Sequence, residues 1–139
     1  MKNLAIIIIL LTFSKSLLSQ GCKSISKGMA AINKSEIDEA KKYFDTATIE
    51  IEEAKANGES PQIKCYAKYY YGLGHVAWQR FESSKVVDLV EKVALLDEAE
   101  KHFLNFFELS YDDDAYTTRA STDLEAVANR QKGLAIDYY

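Results

Sequence analysis

The chain has 139 residues, of which 47% are hydrophobic and 27% charged, with one proline and six glycines. This composition is that of one ordinary folded domain and excludes a disordered or low-complexity chain. The formal net charge of −4 and the lack of a long lysine or arginine run argue against nucleic acid as a partner and against an anionic membrane surface, because both require a basic face.

The N-terminal residues have the layout of a secretory signal. Lys2 gives a basic start, an apolar run follows from 4 to 13, and the stretch after it ends in small residues. The apolar run is about half the ~20 residues that a membrane-spanning helix requires. We therefore expect a signal peptide over residues 1–21, a folded domain over residues 22–139, and export to the bacterial cell envelope.

Cys22 has two interpretations. The residues before it, among them Leu18 and Gly21, resemble the lipobox of bacterial lipoproteins, whose cysteine is lipidated and becomes the new N-terminus. This resemblance implies a membrane-anchored lipoprotein with a lipid anchor at Cys22. The alternative is an ordinary signal-peptidase cut, which leaves a periplasmic protein in which Cys22 and Cys65 form a disulfide.

Good helix formers and widely spaced turn signals predict an all-α chain. A first helix is expected from about 23 to 33. Ser35 with Asp38 has the pattern of a capping box that starts a second helix, and Asn57-Gly58 ends it. The apolar face of this second helix recurs at steps of three and four residues: Ile37, Ala40, Phe44, Ala47, Ile51 and Ala54.

Three further helices follow in the sequence. Ser60 and Pro61 have the pattern of an N-cap and a first-turn proline for a third helix, which ends near 82–84. A fourth is expected from about Lys85 to Leu109, and a fifth follows the acidic turn at 112–114 and ends near Gly133. The predicted apolar face of the fourth helix comprises Val86, Val90, Val93, Leu96, Phe103 and Phe107.

Two octets of the sequence are alike: residues 37–44 read IDEAKKYF and residues 96–103 read LDEAEKHF. Gly28 lies twelve residues before Ala40, and an aromatic and a second small residue follow at Phe44 and Ala47. This spacing resembles the tetratricopeptide repeat, in which a glycine allows two helices to approach closely and small and aromatic residues of the second helix fill the space.

The second copy matches at Tyr70, Leu73 and Gly74, and again at Ala99 and Phe103, with thirteen residues inserted between its two halves. The resemblance covers residues 22–109. It implies an antiparallel array of helix hairpins, with about two degenerate, extended repeats and a C-terminal helix, that acts as a scaffold for a protein or peptide partner. Residues 132–135, KGLA, repeat the pattern KGMA of residues 27–30, and the apolar stretch LAIDYY of residues 134–139 lies where a second helix would pack on this copy. We expect either the first part of a longer solenoid or a tail packed on the last helix.

Aromatic residues concentrate on the third helix. Tyr71, His75 and Trp78 follow at steps of four and three residues and share a face, and Tyr70 lies beside them. Tyrosine and tryptophan combine apolar area with a polar tip, which suits a groove that binds a peptide or a helix. We therefore predict a binding surface at these four residues; the alternative is that their rings form the core of the repeats.

Neither a catalytic residue nor a metal or cofactor site is expected. His75, His102 and Cys65 lack the spacing of zinc ligands, and the acidic run at 112–114 lacks the pattern of a calcium loop. The sequence contains neither a GxSxG motif nor a glycine-rich phosphate loop. The predicted function is a non-catalytic interaction module, and the alternative is a helical-bundle carrier or sensor for a small apolar ligand or lipid.

Overall fold

The computed structural model describes residues 17–60, 62–83, 88–109 and 113–137. These residues form five α-helices and no strand, which confirms the all-α prediction. The helices are α1 (Leu17–Asn33), α2 (Ile37–Ala56), α3 (Ile63–Glu82), α4 (Leu89–Glu108) and α5 (Asp114–Asp137). None of these helices is long and apolar enough to cross a membrane.

The helices pack in two layers. α1, α3 and α5 form one layer, in which α3 lies between the other two. α2 packs against both α1 and α3, and α4 packs against both α3 and α5, so these two helices form the second layer. α3 consequently contacts each of the four other described helices.

Phe44 and Phe103, which end the two similar octets, are both fully buried. A Cβ atom added to Gly28 of α1 would lie 2.8 Å from the Phe44 ring, and one added to Gly72 of α3 would overlap the same ring. A Cβ atom on Gly74 of α3 would lie 2.8 Å from the Phe103 ring. Each aromatic side chain therefore fills space that a glycine on a neighbouring helix leaves open.

α1 begins at Leu17, six residues before its predicted start, so the predicted cleavage site after Gly21 lies within a helix. Gly21 is buried against α2, where an added Cβ atom would lie 3.5 Å from the Ile51 side chain. The predicted apolar run of the signal, residues 4–13, lies outside the described residues.

Ser35 ends α1 instead of capping α2. Its φ of 61° is left-handed, its N–H donates to Ile32 O at 2.9 Å, and the N–H of Glu36 donates to Ala31 O at 3.0 Å. This pair of bonds is the Schellman motif, which satisfies the last carbonyls of a helix. Glu36 occupies the N-cap of α2 without a side-chain hydrogen bond, so the capping-box prediction is wrong.

The predicted end of α2 at Asn57-Gly58 is confirmed. Gly58 has a φ of 75°, its N–H donates to Lys55 O at 2.9 Å, and the N–H of Glu59 donates to Ala54 O at 3.0 Å. The Schellman motif therefore ends α2 as it ends α1, and here the left-handed residue is a glycine, which adopts that conformation at least cost.

α3 and α4 begin later than predicted. Gln62 is the N-cap of α3, so Ser60 lies two residues before it, and Pro61 lies outside the described residues. α4 begins after Asp88, whose Oδ1 accepts the N–H of Glu91 at 2.9 Å. The predicted start of α4 at Lys85 also lies outside the described residues.

The buried face of α4 differs from the predicted one. Val90 is 76% exposed, and Val93 and Phe107 are also exposed, whereas Leu96 and Phe103 are buried as predicted. The prediction followed one apolar stripe, but α4 packs between α3 and α5, and this position buries a neighbouring stripe of the helix. The buried residues of α4 are Leu95, Leu96, Ala99, Phe103 and Phe106.

α5 begins at Asp114, the last residue of the acidic run that it was predicted to follow. Asp113 Oδ1 accepts the N–H of Ala115 at 3.2 Å, which satisfies one of the free donors at this end of the helix. The helix continues to Asp137, four residues beyond its predicted end at Gly133.

Candidate functional site

A polar cleft of about 370 Å³ lies where α1, α3 and α5 meet. The last turn of α1 contributes Ile32 and Asn33, and α3 contributes Tyr71 and His75. The fifth helix contributes four polar side chains: Thr118, Arg119, Thr122 and Asp123. The cleft therefore contains both hydrogen-bond donors and acceptors from three helices, the composition of a site that orients a polar ligand.

A hydrogen bond between His75 and Asp123 joins α3 to α5 inside the cleft. The distance from Nδ1 of His75 to Oδ2 of Asp123 is 2.9 Å, and each side chain is 19% exposed. This bond fixes the orientation of the imidazole. Among the described residues, none forms a hydrogen bond with Nε2 of this imidazole.

Tyr71 is the most buried of the polar residues that line the cleft, with 3% of its surface exposed. Its ring meets that of Tyr116 on α5 edge to face at 5.3 Å. Burial, reinforced by the nearby charge of Asp123 and opposed by Arg119, raises the pKa of Tyr71 to about 12. The hydroxyl therefore keeps its proton at neutral pH and can act as a hydrogen-bond donor.

The structure separates the four residues of the predicted binding surface. Tyr71 and His75 border the cleft, whereas Trp78 is 9% exposed and its ring stacks on that of Phe81 at 5.5 Å. Tyr71 and Trp78 are both buried, the position that the alternative prediction, a core of the repeats, gives to these rings. α3 contacts all four other helices, so both rings pack in the core.

Tyr70, the fourth predicted residue, belongs to an aromatic column apart from the residues that line the cleft. Its ring stacks on Tyr66 at 5.8 Å and on His102 of α4 at 6.2 Å. The ammonium group of Lys55 on α2 lies 5.6 Å from the centre of the Tyr66 ring. Because these groups cover one another, the column serves to join α2, α3 and α4.

Sequence reasoning missed the four residues that α5 contributes to the cleft. Thr118, Arg119, Thr122 and Asp123 lie at offsets of one, four and five residues, which place them on one side of a helix. This spacing predicts that the four polar side chains lie together on one side of the helix. These side chains line the cleft only because α5 packs beside α3, and the sequence pattern does not specify that packing.

A smaller cleft of about 140 Å³ lies between α1 and α3. Cys22 and Cys65 form a disulfide there, with a Cα–Cα distance of 5.7 Å that lies within the usual range of about 4.4–6.8 Å. The remaining lining residues are mostly polar or basic: Ile25, Ser26, Gln62, Lys64 and Lys68.

An apolar cleft of about 420 Å³ lies between the start of α4 and the end of α5. Its apolar lining consists of Leu89, Val93, Leu96, Leu134 and Ala135. At its polar edge, Nε2 of Gln131 donates to Asp97 at 3.3 Å and to Glu100 at 3.1 Å.

Within the described ranges, no group of three or more histidine, cysteine, aspartate or glutamate side chains is placed to hold a metal ion. Comparison with protein families, with curated proteins and with solved structures found no match to this chain.

Proposed function

We propose that this protein is a non-catalytic interaction module that binds a segment of a protein or peptide in the cleft between α1, α3 and α5. The observation that carries this proposal is the convergence of polar side chains from three helices on one cleft. Asn33, Thr118, Arg119 and Thr122 are exposed there and can bond the amides and carbonyls of a peptide backbone.

The packing supports a tetratricopeptide-like array as the frame of this site. α2 lies against α1 and α3, and α4 lies against α3 and α5, so consecutive hairpins share contacts as stacked repeats do. The two octet aromatics, Phe44 and Phe103, pack against glycines of the α1–α3–α5 layer. In stacked repeats one helix of each pair lines a continuous binding surface, and the cleft lies on the corresponding layer here.

Two matched threonine variants would test the proposed site. Thr122 on α5 and Thr46 on α2 are both exposed, and each donates its hydroxyl to the carbonyl four residues earlier, at 3.0 and 2.9 Å. Random peptides are displayed on phage, selected on the immobilised protein, and measured by fluorescence polarisation. Thr122→Trp fills the cleft and should weaken binding about tenfold or more, a loss of about 1.4 kcal/mol, while Thr46→Trp should leave binding unchanged.

Equal binding by the wild type and both variants would place the peptide elsewhere and contradict the proposed site. Failure to select any peptide would contradict the proposed function.

The apolar cleft between α4 and α5 favours the second candidate, a carrier or sensor for a small apolar ligand or lipid. That candidate would gain support if no peptide were selected and if a fatty acid displaced an apolar fluorescent dye from the wild type but not from Val93→Glu.

Export to the cell envelope forms part of the proposal, supported by the signal-like N-terminus. The disulfide favours the soluble periplasmic form over the lipid-anchored one, because a Cys22 sulfur bonded to Cys65 cannot also carry a lipid. We expect the intact mass of the protein from its native envelope to be that of an unmodified chain without the signal, and to gain two hydrogens on reduction. A mass raised by a diacyl or triacyl group, unchanged by reduction, would contradict this pairing.

A further inference from the structure

Charged residues are divided unequally between the two helix layers. α1 contains neither aspartate nor glutamate, and Glu82 is the one acidic residue of α3. The basic residues of these two helices are Lys23, Lys27, Lys64, Lys68 and Arg80. The acidic residues of α2 and α4 are Asp38, Glu39, Asp45, Glu50, Glu52, Glu53, Glu91, Asp97, Glu98, Glu100 and Glu108. An acidic chain therefore carries a locally basic surface on α1 and α3.

The two polar clefts lie along the same sides of α1 and α3. On α1 they include Ser26 and Asn33, seven residues apart, and on α3 they include Lys64, Lys68 and His75 at helical steps. The lining residues of the two clefts are together called here the basic groove. Its cationic side chains are Lys64, Lys68 and Arg119.

The carboxylate of the basic groove, that of Asp123, is already bonded to His75. Within the described part of the chain, neither Lys64 nor Lys68 forms a salt bridge; the ammonium of Lys68 lies 5.8 Å from the ring centre of Tyr116. Lysines on α2 are paired differently: Lys41 with Asp45 at 2.6 Å, Lys42 with Glu39 and Lys55 with Glu52, both at 3.2 Å. The groove thus retains positive charge that the fold does not neutralise.

The spacing of the two lysines matches an extended peptide. Lys64 and Lys68 are four residues apart on α3, which corresponds to about 6 Å along the helix axis. In an extended chain, side chains on one side recur every two residues, about 6.6 Å apart. The distance along α3 from Lys64 to His75 is about 16 Å, the length of about five extended residues.

We propose that the basic groove binds an extended acidic peptide segment in which two carboxylates separated by one residue pair with Lys64 and Lys68. The rest of the segment runs along α3 to the end of the groove that holds Tyr71, His75 and Arg119. This inference rests on the proposed peptide-binding function and adds the charge and the spacing of the ligand.

The test uses two fluorescein-labelled octapeptides of identical composition, otherwise built from serine. One contains Glu-Ser-Glu, whose carboxylates lie on one side of an extended chain, and the other contains Glu-Glu, whose carboxylates lie on opposite sides. Fluorescence polarisation at low salt should show about fivefold tighter binding of the Glu-Ser-Glu peptide, and high salt should weaken it because the charges are exposed.

Matched charge reversals locate the contact. The double variant Lys64→Glu/Lys68→Glu should weaken binding of the Glu-Ser-Glu peptide about tenfold or more. The control Lys92→Glu/Lys101→Glu on α4 changes the net charge equally and should retain binding. Equal binding of the two peptides, or equal losses in the two double variants, would overturn the inference, because binding would then follow net charge alone.

Two further outcomes separate this inference from the proposed function. If display-selected peptides are blocked by Thr122→Trp but lack acidic residues and tolerate the Lys64→Glu/Lys68→Glu change, the inference fails and the proposed function stands. If neither the octapeptides nor any displayed peptide binds, both fail. Tighter binding of a thymidine oligonucleotide than of the Glu-Ser-Glu peptide, lost in the same double variant, would overturn the peptide assignment in favour of nucleic acid.

Discussion

The side chain of His102 is held in its neutral form. Burial, with a smaller contribution from Lys101, lowers its pKa from 6.5 to about 4. Its Nδ1 is buried without a hydrogen-bond partner in the part of the chain that the structure describes, and its ring stacks on that of Tyr70. The column that joins α2, α3 and α4 therefore includes an imidazole that cannot be protonated without losing stability.

We predict that His102→Phe reduces the acid sensitivity of the fold. The folded-state pKa lies below the unfolded value, so only the unfolded chain gains a proton as the pH falls from about 6.5 towards 4, and stability is lost in that window. Phenylalanine can stack on Tyr70 without titrating. Thermal melts at pH 7 and pH 4.5 should show a smaller decrease in Tm for His102→Phe than for the wild type, and an equal decrease would contradict the assignment.

Ser35 shows why a local residue pattern is not sufficient to identify the N-cap of a helix. A serine three residues before an acid is typical of a helix start, but the left-handed residue that ends the preceding helix can occupy the same position. The backbone N–H of Ser35 donates to a carbonyl of α1. Whether a serine ends one helix in this way or caps the next depends on how the preceding helix enters the turn. The end of α2 at Gly58 could be predicted from the sequence, because glycine adopts the left-handed conformation more readily than other residues.

Between elements, close approach at glycine determines how α3 packs against its neighbours. We predict that Gly72→Ala lowers the free energy of unfolding by about 1–3 kcal/mol, because the new methyl group would overlap the buried Phe44 ring. Gly133→Ala on α5 is the matched control. Among the described residues, no atom outside the backbone of α5 itself lies within 4 Å of the Cβ that alanine would add, so alanine should stabilise the helix by about 0.5–1 kcal/mol.

Urea unfolding curves of both glycine variants provide the measurement. Wild-type stability of Gly72→Ala would show that α3 does not approach Phe44 closely, and it would contradict the packing of the two layers. A loss of stability in both variants would indicate instead that any added methyl group is harmful to these helices.

The existence of the helices could be predicted from periodicity, but the buried face of α4 could not. Two overlapping apolar stripes run along this helix, one through Val90 and Val93 and another through Leu95 and Ala99. Which stripe is buried depends on the direction from which α3 and α5 approach. That direction is set by contacts between residues far apart in the sequence, so the helical period alone does not reveal it.

At the scale of the whole molecule, the sequence identified the helix that lies at the centre of the candidate site but only part of the site itself. Tyr71 and His75 were predicted and border the cleft, whereas Trp78 belongs to the core. Arg119 and Thr122 of α5 could not be assigned to the cleft beforehand, because their position beside α3 arises from tertiary packing.

The two layers differ in charge and in the clefts that they contain. The α1–α3–α5 layer contains the polar cleft, the disulfide and the unpaired lysines of the basic groove, whereas α2 and α4 carry most of the acidic residues. Partner binding should therefore take place on one layer only.

A two-dimensional NMR titration of the ¹⁵N-labelled protein with a display-selected peptide tests this central claim most directly. The account predicts that the largest amide shifts occur around the cleft, at residues such as Asn33, His75 and Thr122, and that the amides near Thr46 on α2 remain unchanged. Shifts concentrated on α2 and α4, or around Leu134 in the apolar cleft, would contradict it.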